Sequence, residues 1–340
     1  MHYKQGHGKH IDIVYAQEYN ISVVNLRCKR TFRVFPSGGV MDSMPDFDFF
    51  LERRLKELNS DLAYRYTCCM SLFELTLNRF LTTFPTFTDH TLLHTLSITN
   101  LTNQLLREDI QKLSSSEIYI YLMAAALHDV GMGVSVRDLE GFIDAAGIRT
   151  YVSAHPEMSA PTLVRKFHHD FSAAFARKYW QLLEIPNERY ANAIAEVGRG
   201  HRKTDLLDET LYPTDYDLGD GSKANLAALA AVVRIADELD IASDRNPELL
   251  YQTETMVGLS EKDVFEFSRH DAIRPIVFAE QAIIVYADTE SDEIAQAVID
   301  CIRVVKETLS YCISVLKKRS TLQIQCSQIE LVLNGNVVMV

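Results

Sequence analysis

The sequence predicts a mainly α protein, with a helical bundle over residues 45–245 and a small α+β appendage over 246–340. A few strands or an extended arm precede them at 1–44. Three observations carry this. Between 45 and 245 apolar residues recur at three- and four-residue intervals, as in 47–58 and 62–81, which lines one face of a helix. Past Arg245 the texture changes, because 282–287 is a short, wholly apolar run of strand length. Residues 322–333 then alternate apolar and polar side chains, with one slip, as a half-buried strand does.

Taken in order, the β-branched runs around Ile11, Val14, Ile21 and Val24 end in Pro36, Ser37, Gly38 and Gly39, a strand-and-loop texture. Pro85 breaks the next helical stretch. A new helix starts after Thr88 and Asp89, which supply cap chemistry, and passes through His90, His94 and Ile98 to Leu106. Ser114 with Glu117 marks another start, leading into the almost wholly apolar 118–127, a buried helix. Residues 187–197 and 223–241 are further helices. Ser291, Asp292 and Glu293 open a long helix that runs to about Ser320.

The chain has 340 residues, 47% hydrophobic and 24% charged, ordinary globular composition with room for about two domains. No apolar run reaches the roughly 18 residues a membrane span needs, and the first residues lack the apolar core of a signal peptide. None of the six cysteines lies in a CxxC pair, so they read as buried free thiols in a reducing cytoplasm. A net charge of −12 argues against nucleic acid as the main partner, since affinity for a phosphate backbone comes from a Lys/Arg surplus. A small phosphorylated ligand needs only local positive charge or metal.

The sharpest chemical signal is His128-Asp129 directly after the apolar run Ala124-Ala125-Ala126-Leu127 and before Val130-Gly131-Met132. Burying such a pair is costly without a partner, and Gly131 lets the chain turn away after it. Imidazole and carboxylate together suit a transition metal better than calcium. Capping and hydrogen bonding would explain this pair alone equally well. It is not alone: His90 and His94 share a helix face, and Asp237 sits in the apolar helix segment Arg234-Ile235-Ala236-Asp237-Glu238-Leu239-Asp240.

In this order the chain resembles the HD superfamily of metal-dependent phosphohydrolases, over roughly residues 85–246. The resemblance implies an HD-domain helical bundle with His94, His128, Asp129 and Asp237 as metal ligands. It also implies one or two divalent ions (Mn, Fe, Zn, Co or Ni) and hydrolysis of a small phosphate ester, a nucleotide above all, by metal-activated water. Segments around His155 and His201 resemble those that hold a second metal beside a bridging Asp129. With one metal, His155 or His201 would instead protonate the leaving oxygen or bind phosphate, and both also fit ordinary helix-end histidines. Arg202 stands where many relatives carry another histidine. His90, Arg149, Arg202, Lys203 and Arg234 are candidates to bind substrate phosphate. His168 and His169, beside charged Lys166 and Asp170, read as surface histidines, and Asp240 as either a helix cap or a residue backing the ligands.

The cyclic-dinucleotide branch of the superfamily fits less well, because Met132 replaces its lysine and Leu211-Tyr212-Pro213 its Gly-Tyr-Pro signature. More similar are HD domains found alongside ATPase modules of the heat-shock-chaperone type. Rival readings are a non-catalytic nucleotide-sensing or protein-interaction module, and a nuclease, which would want a basic, aromatic-lined groove. The appendage would close the site or mediate homo-oligomer assembly.

Overall fold

The computed structural model describes residues 49–77, 92–202, 204–242 and 261–340. The strands or arm expected at 1–44, the helix start near Thr88, His90, Lys203 and Cys28 lie outside the described residues. Residues Phe47–Val340 form one compact unit.

Eleven α-helices dominate among the described residues, as the sequence predicts. Helices α1 (Phe50–Leu58) and α2 (Ser60–Leu77) pack on each other and against α4. Helix α3 spans Leu92–Leu106, and α4, Ser115–Leu127, is the axis of the bundle. Its start is a capping box, in which Ser114 Oγ accepts from the Glu117 amide and Glu117 accepts from the Ser114 amide. Every residue from Ile118 to Leu127 is buried. A helix apolar on all sides can exist only with neighbours on all sides, and α1, α2, α3, α8 and α9 supply them. Two short helices, α5 (Leu139–Ala145) and α6 (Arg149–Ala154), lead into α7 (Ala160–Tyr179). Helix α8 (Glu188–Arg199) is capped by the Asn187 side chain, which accepts from the amides of Arg189 and Tyr190. After the two-residue strands β1 (Tyr216–Asp217) and β2 (Lys223–Ala224), Asn225 caps α9 (Leu226–Leu239).

The C-terminal part adds α10 (Glu261–Ala272), β3 (Val277–Phe278), β4 (Ala282–Ala287), α11 (Asp292–Arg319), β5 (Gln328–Leu333) and β6 (Asn336–Val338). The sheet order is β3-β4-β5-β6, and only the β4–β5 pair is parallel. Parallel neighbours need a crossover, which the 28-residue α11 provides. The strand expected from Leu322 begins only at Gln328. Before it the chain docks elsewhere, with the Gln325 amide donating to Leu105 O and the Ser327 amide to Gln281 O.

Val298, Ile302, Val305, Leu309, Cys312 and Leu316 line one face of α11, and they join the core cluster that begins at Leu51 and includes α4 and α9. The texture change near residue 245 therefore marks no break in the core. Cys69, Cys312 and Cys326 are buried free thiols, whereas Cys68 is exposed, a correction to the expectation for the cysteines as a set. No helix among the described residues is long and apolar enough to cross a membrane.

Candidate metal centre

Three helix segments end in, or carry, a histidine held the same way. His128 closes α4, His168 lies within α7, and His201 follows α8. In each, Nδ1 meets the backbone carbonyl three residues earlier: Ala125 at 2.8 Å, Arg165 at 2.7 Å and Gly198 at 2.6 Å. A carbonyl only accepts, so each Nδ1 is the donor and each neutral ring carries its lone pair on Nε2. His94 on α3 has its Nδ1 2.5 Å from Asp240 Oδ2, which likewise turns Nε2 toward the other rings.

All four Nε2 atoms converge on Asp129. His94 and His128 meet at 3.2 Å between Nε2 atoms, His168 and His201 at 3.0 Å. Asp129 lies between the pairs. Its Oδ2 is 3.3 Å from His128 Nε2 and 3.9 Å from His94 Nε2, while its Oδ1 is 3.3 Å from His168 Nε2 and 3.7 Å from His201 Nε2. Asp237 Oδ1 on α9 adds to the first pair, 3.2 Å from His94 Nε2 and 3.6 Å from His128 Nε2. Its side chain is 21% exposed, against 8% or less for the other five residues, so the centre opens to solvent on its side.

These donors fit a metal. Two imidazole lone pairs facing each other repel unless a proton or a metal ion lies between them. Ligands about 2.1 Å from a tetrahedral or octahedral ion stand roughly 3.0–3.4 Å apart, which is the spacing of both pairs. Two buried groups can hold an ion: His94, His128 and Asp129, and Asp129, His168 and His201.

The HD-CE family model matches residues 84–319, more than half of the chain and every residue of this centre. The chain belongs to the HD-CE family. No curated protein and no solved structure matches it.

Within this HD-CE domain the histidine beside His201 is His168, not His155. His155 caps α6, half-buried, with Nδ1 2.9 Å from Tyr151 O and its ring stacked on Tyr151 at 4.0 Å. It belongs to neither group. The surface reading of His168 is corrected: the residue is 6% exposed. Lys166 and Asp170 lie two residues either side of it, which on a helix is the other face. The informative neighbours were Val164, Phe171 and Ser172, all buried at helical spacing from it. Replacing His168 by alanine is expected to remove about one ion per chain and leave the other, whereas His155→Ala leaves the metal content unchanged. Elemental analysis showing the opposite pattern would restore His155.

The other candidates have local partners. Arg149 is exposed and paired with Glu140 and Asp144, each at 2.7 Å. Arg234 is buried and structural. It donates through Nε to Gly200 O and through Nη2 to Thr204 O, both at 2.7 Å, with its guanidinium 5.2 Å over the Tyr311 ring. It thus ties the loop bearing His201 to α9 and α11 rather than offering itself to phosphate. Arg202 is exposed next to His201, and its charge helps hold the pKa of His168 and His169 down.

Protonation follows the same asymmetry. Burial disfavours charge on His128, but Asp129 and Asp237 outweigh it and hold its pKa well above the usual imidazole value. Burial pushes His168 and His201 the other way, with His128 adding to the effect on His201. For Asp237 burial works upward, yet its hydrogen bonds to His128 and His94 keep it well below the usual carboxylate range. In the metal-free protein, then, His128 is held toward its protonated form and His168 and His201 toward the neutral one. Metal must displace that proton. Calorimetric titration at pH 7 in buffers of different ionisation enthalpy is expected to report about one proton released per chain. Occupancy should fall as the pH drops, because protons then compete for His128. Binding heats independent of the buffer would refute this assignment.

Proposed function

We propose that the protein is a metal-dependent phosphohydrolase acting on a nucleotide or other small phosphate ester. One observation supports this above the rest: two histidine pairs share a single aspartate whose oxygens face opposite sides. Such a donor set suits two adjacent divalent ions, and ions about 3.5–4 Å apart clamp both the attacking and leaving oxygens of a phosphoryl transfer. His94, His128 and Asp237 with Asp129 Oδ2 would hold one ion, and His168 and His201 with Asp129 Oδ1 the other.

Bound there, the ions supply Lewis acidity, polarising a phosphoryl oxygen and lowering the pKa of water toward neutrality. The chain's own groups do the placing. Asp129 sets the separation of the two pairs, and the carbonyls of Ala125, Arg165 and Gly198 lock the rings so that each Nε2 faces inward. Arg202, exposed beside His201, is positioned to attract a phosphate entering from solvent. The net charge of −12 favours a small substrate over a polyanion.

The test is a screen of nucleotides and phosphate esters with Mn, Fe, Co, Ni and Zn, on protein of measured metal content. Turnover that tracks metal occupancy and disappears with a chelator is the expected result. Full occupancy with no hydrolysis across the screen would instead favour a non-catalytic, ligand-sensing role.

A further inference from the structure

We propose that Asp240 is a positioning residue that makes the His94 side of the centre the tighter metal site, so that the two sites load in order. The inference rests on reading the two groups as metal sites, and does not depend on which ester is hydrolysed.

The two sides are built from unequal parts. Of the four convergent imidazoles, three donate Nδ1–H to a neutral backbone carbonyl, while His94 alone faces a carboxylate there, Asp240 Oδ2 at 2.5 Å. That carboxylate is 4% exposed and held at its other end, where Ser97 Oγ donates to Oδ1 at 2.6 Å. A negative charge on the far nitrogen makes the near nitrogen a stronger donor and fixes the ring's tautomer and direction. Asp240 caps α9, three residues after Asp237, so one helix end supplies both a ligand and the support of another ligand. Ser97 stands three residues after His94 on α3, which ties the support to the same turn.

The His94 side also has more anionic donors. Asp129 Oδ2 and Asp237 Oδ1 both reach it, within 3.2–3.9 Å of the two Nε2 atoms. Among the described residues, the group on the His168 side has two histidines and the remaining oxygen of Asp129, with cationic Arg202 next in sequence to His201. A first ion on the His94 side partly neutralises the shared Asp129 and repels a second dication, which widens the difference. Between the two dissociation constants the chain holds one ion. The His168 side then becomes the exchangeable position, through which free metal concentration regulates any activity that needs both.

Metal-free protein would be titrated with Mn(II) alone, without substrate, following free ion by electron paramagnetic resonance and heat by calorimetry. Wild type is expected to bind in two steps, the first at least about tenfold tighter. Losing an outer partner of a ligand costs roughly 10–100-fold in metal affinity, so Asp240→Asn should weaken the first step by that factor and leave the second nearly unchanged. Ser97→Ala should give a smaller loss in the same step, and it tests the idea if Asp240→Asn does not fold by circular dichroism. His201→Ala should abolish the second step alone. Two indistinguishable ions in wild type, or an Asp240→Asn protein weakened equally in both steps or in neither, would overturn the ordering. Wild type that binds no ion would overturn the metal reading itself.

Discussion

Asp129→Ala is expected to empty both metal positions at once. Among the described residues, Asp129 is the one shared by both groups, with Oδ1 toward His168 and His201 and Oδ2 toward His94 and His128. Without it the first side keeps Asp237, but His128 loses one of the two carboxylates that face it. The second side keeps two imidazoles and loses the carboxylate that faces both. Activity should fall well beyond the roughly 10–100-fold that follows loss of an outer partner, because a shared ligand is removed. Elemental analysis checks the metal and turnover checks the rate. Equal metal in wild type and Asp129→Ala would retire Asp129 as the shared ligand.

Gly131→Ala is expected to be the most destabilising single methyl added near the centre. A Cβ there would stand 2.1 Å from the His168 carbonyl oxygen and 2.8 Å from the Ser172 amide nitrogen. Both are backbone atoms of α7 and cannot rotate aside. The Gly131 amide also donates to Ser172 Oγ at 2.9 Å, so the turn after Asp129 lies directly against that helix. Relieving the clash means moving α7, which carries His168, away from Asp129. Overpacking of this kind costs about 3 kcal/mol, and at roughly 1–2 °C per kcal/mol for a chain of this size the Tm should fall by about 3–6 °C. Metal on the His168 side should be lost before that on the His94 side. A thermal melt unchanged from wild type would contradict the close packing. Ser172→Ala, which removes only the hydrogen bond, should cost about 1 kcal/mol.

Much of this protein was legible in the chain because the information was local. The three- and four-residue apolar spacing predicted the bundle, and Ser114 with Glu117 marked the start of α4. The polar pair His128-Asp129 after an apolar run signalled that something compensates its burial, and the resemblance to the HD superfamily pointed to His94 and Asp237 beside it, four residues that the structure brings together. Asp240 and His168 lay deeper. His168 had a usable signal in the buried spacing of Val164, Phe171 and Ser172, obscured by the charges two residues to either side. His155 sits in a segment resembling a ligand-bearing one, yet its ring packs on Tyr151, and no local pattern distinguishes a helix-end histidine that stacks from one that ligates. Gly131 read as a freedom to turn and proved to be a need for closeness, because the atoms it would strike belong to a helix some forty residues away. Arg234, a candidate for phosphate in the sequence, is a strut, its partners Gly200, Thr204 and Tyr311 arriving from two other parts of the chain. The sequence alone determined that 45–245 is mainly helical, and which residue types have to be compensated when buried. Tertiary structure decided which donors meet, since that depends on how helices distant in sequence pack, and the sharing of Asp129 exists only once α3, α4, α7, α8 and α9 are assembled.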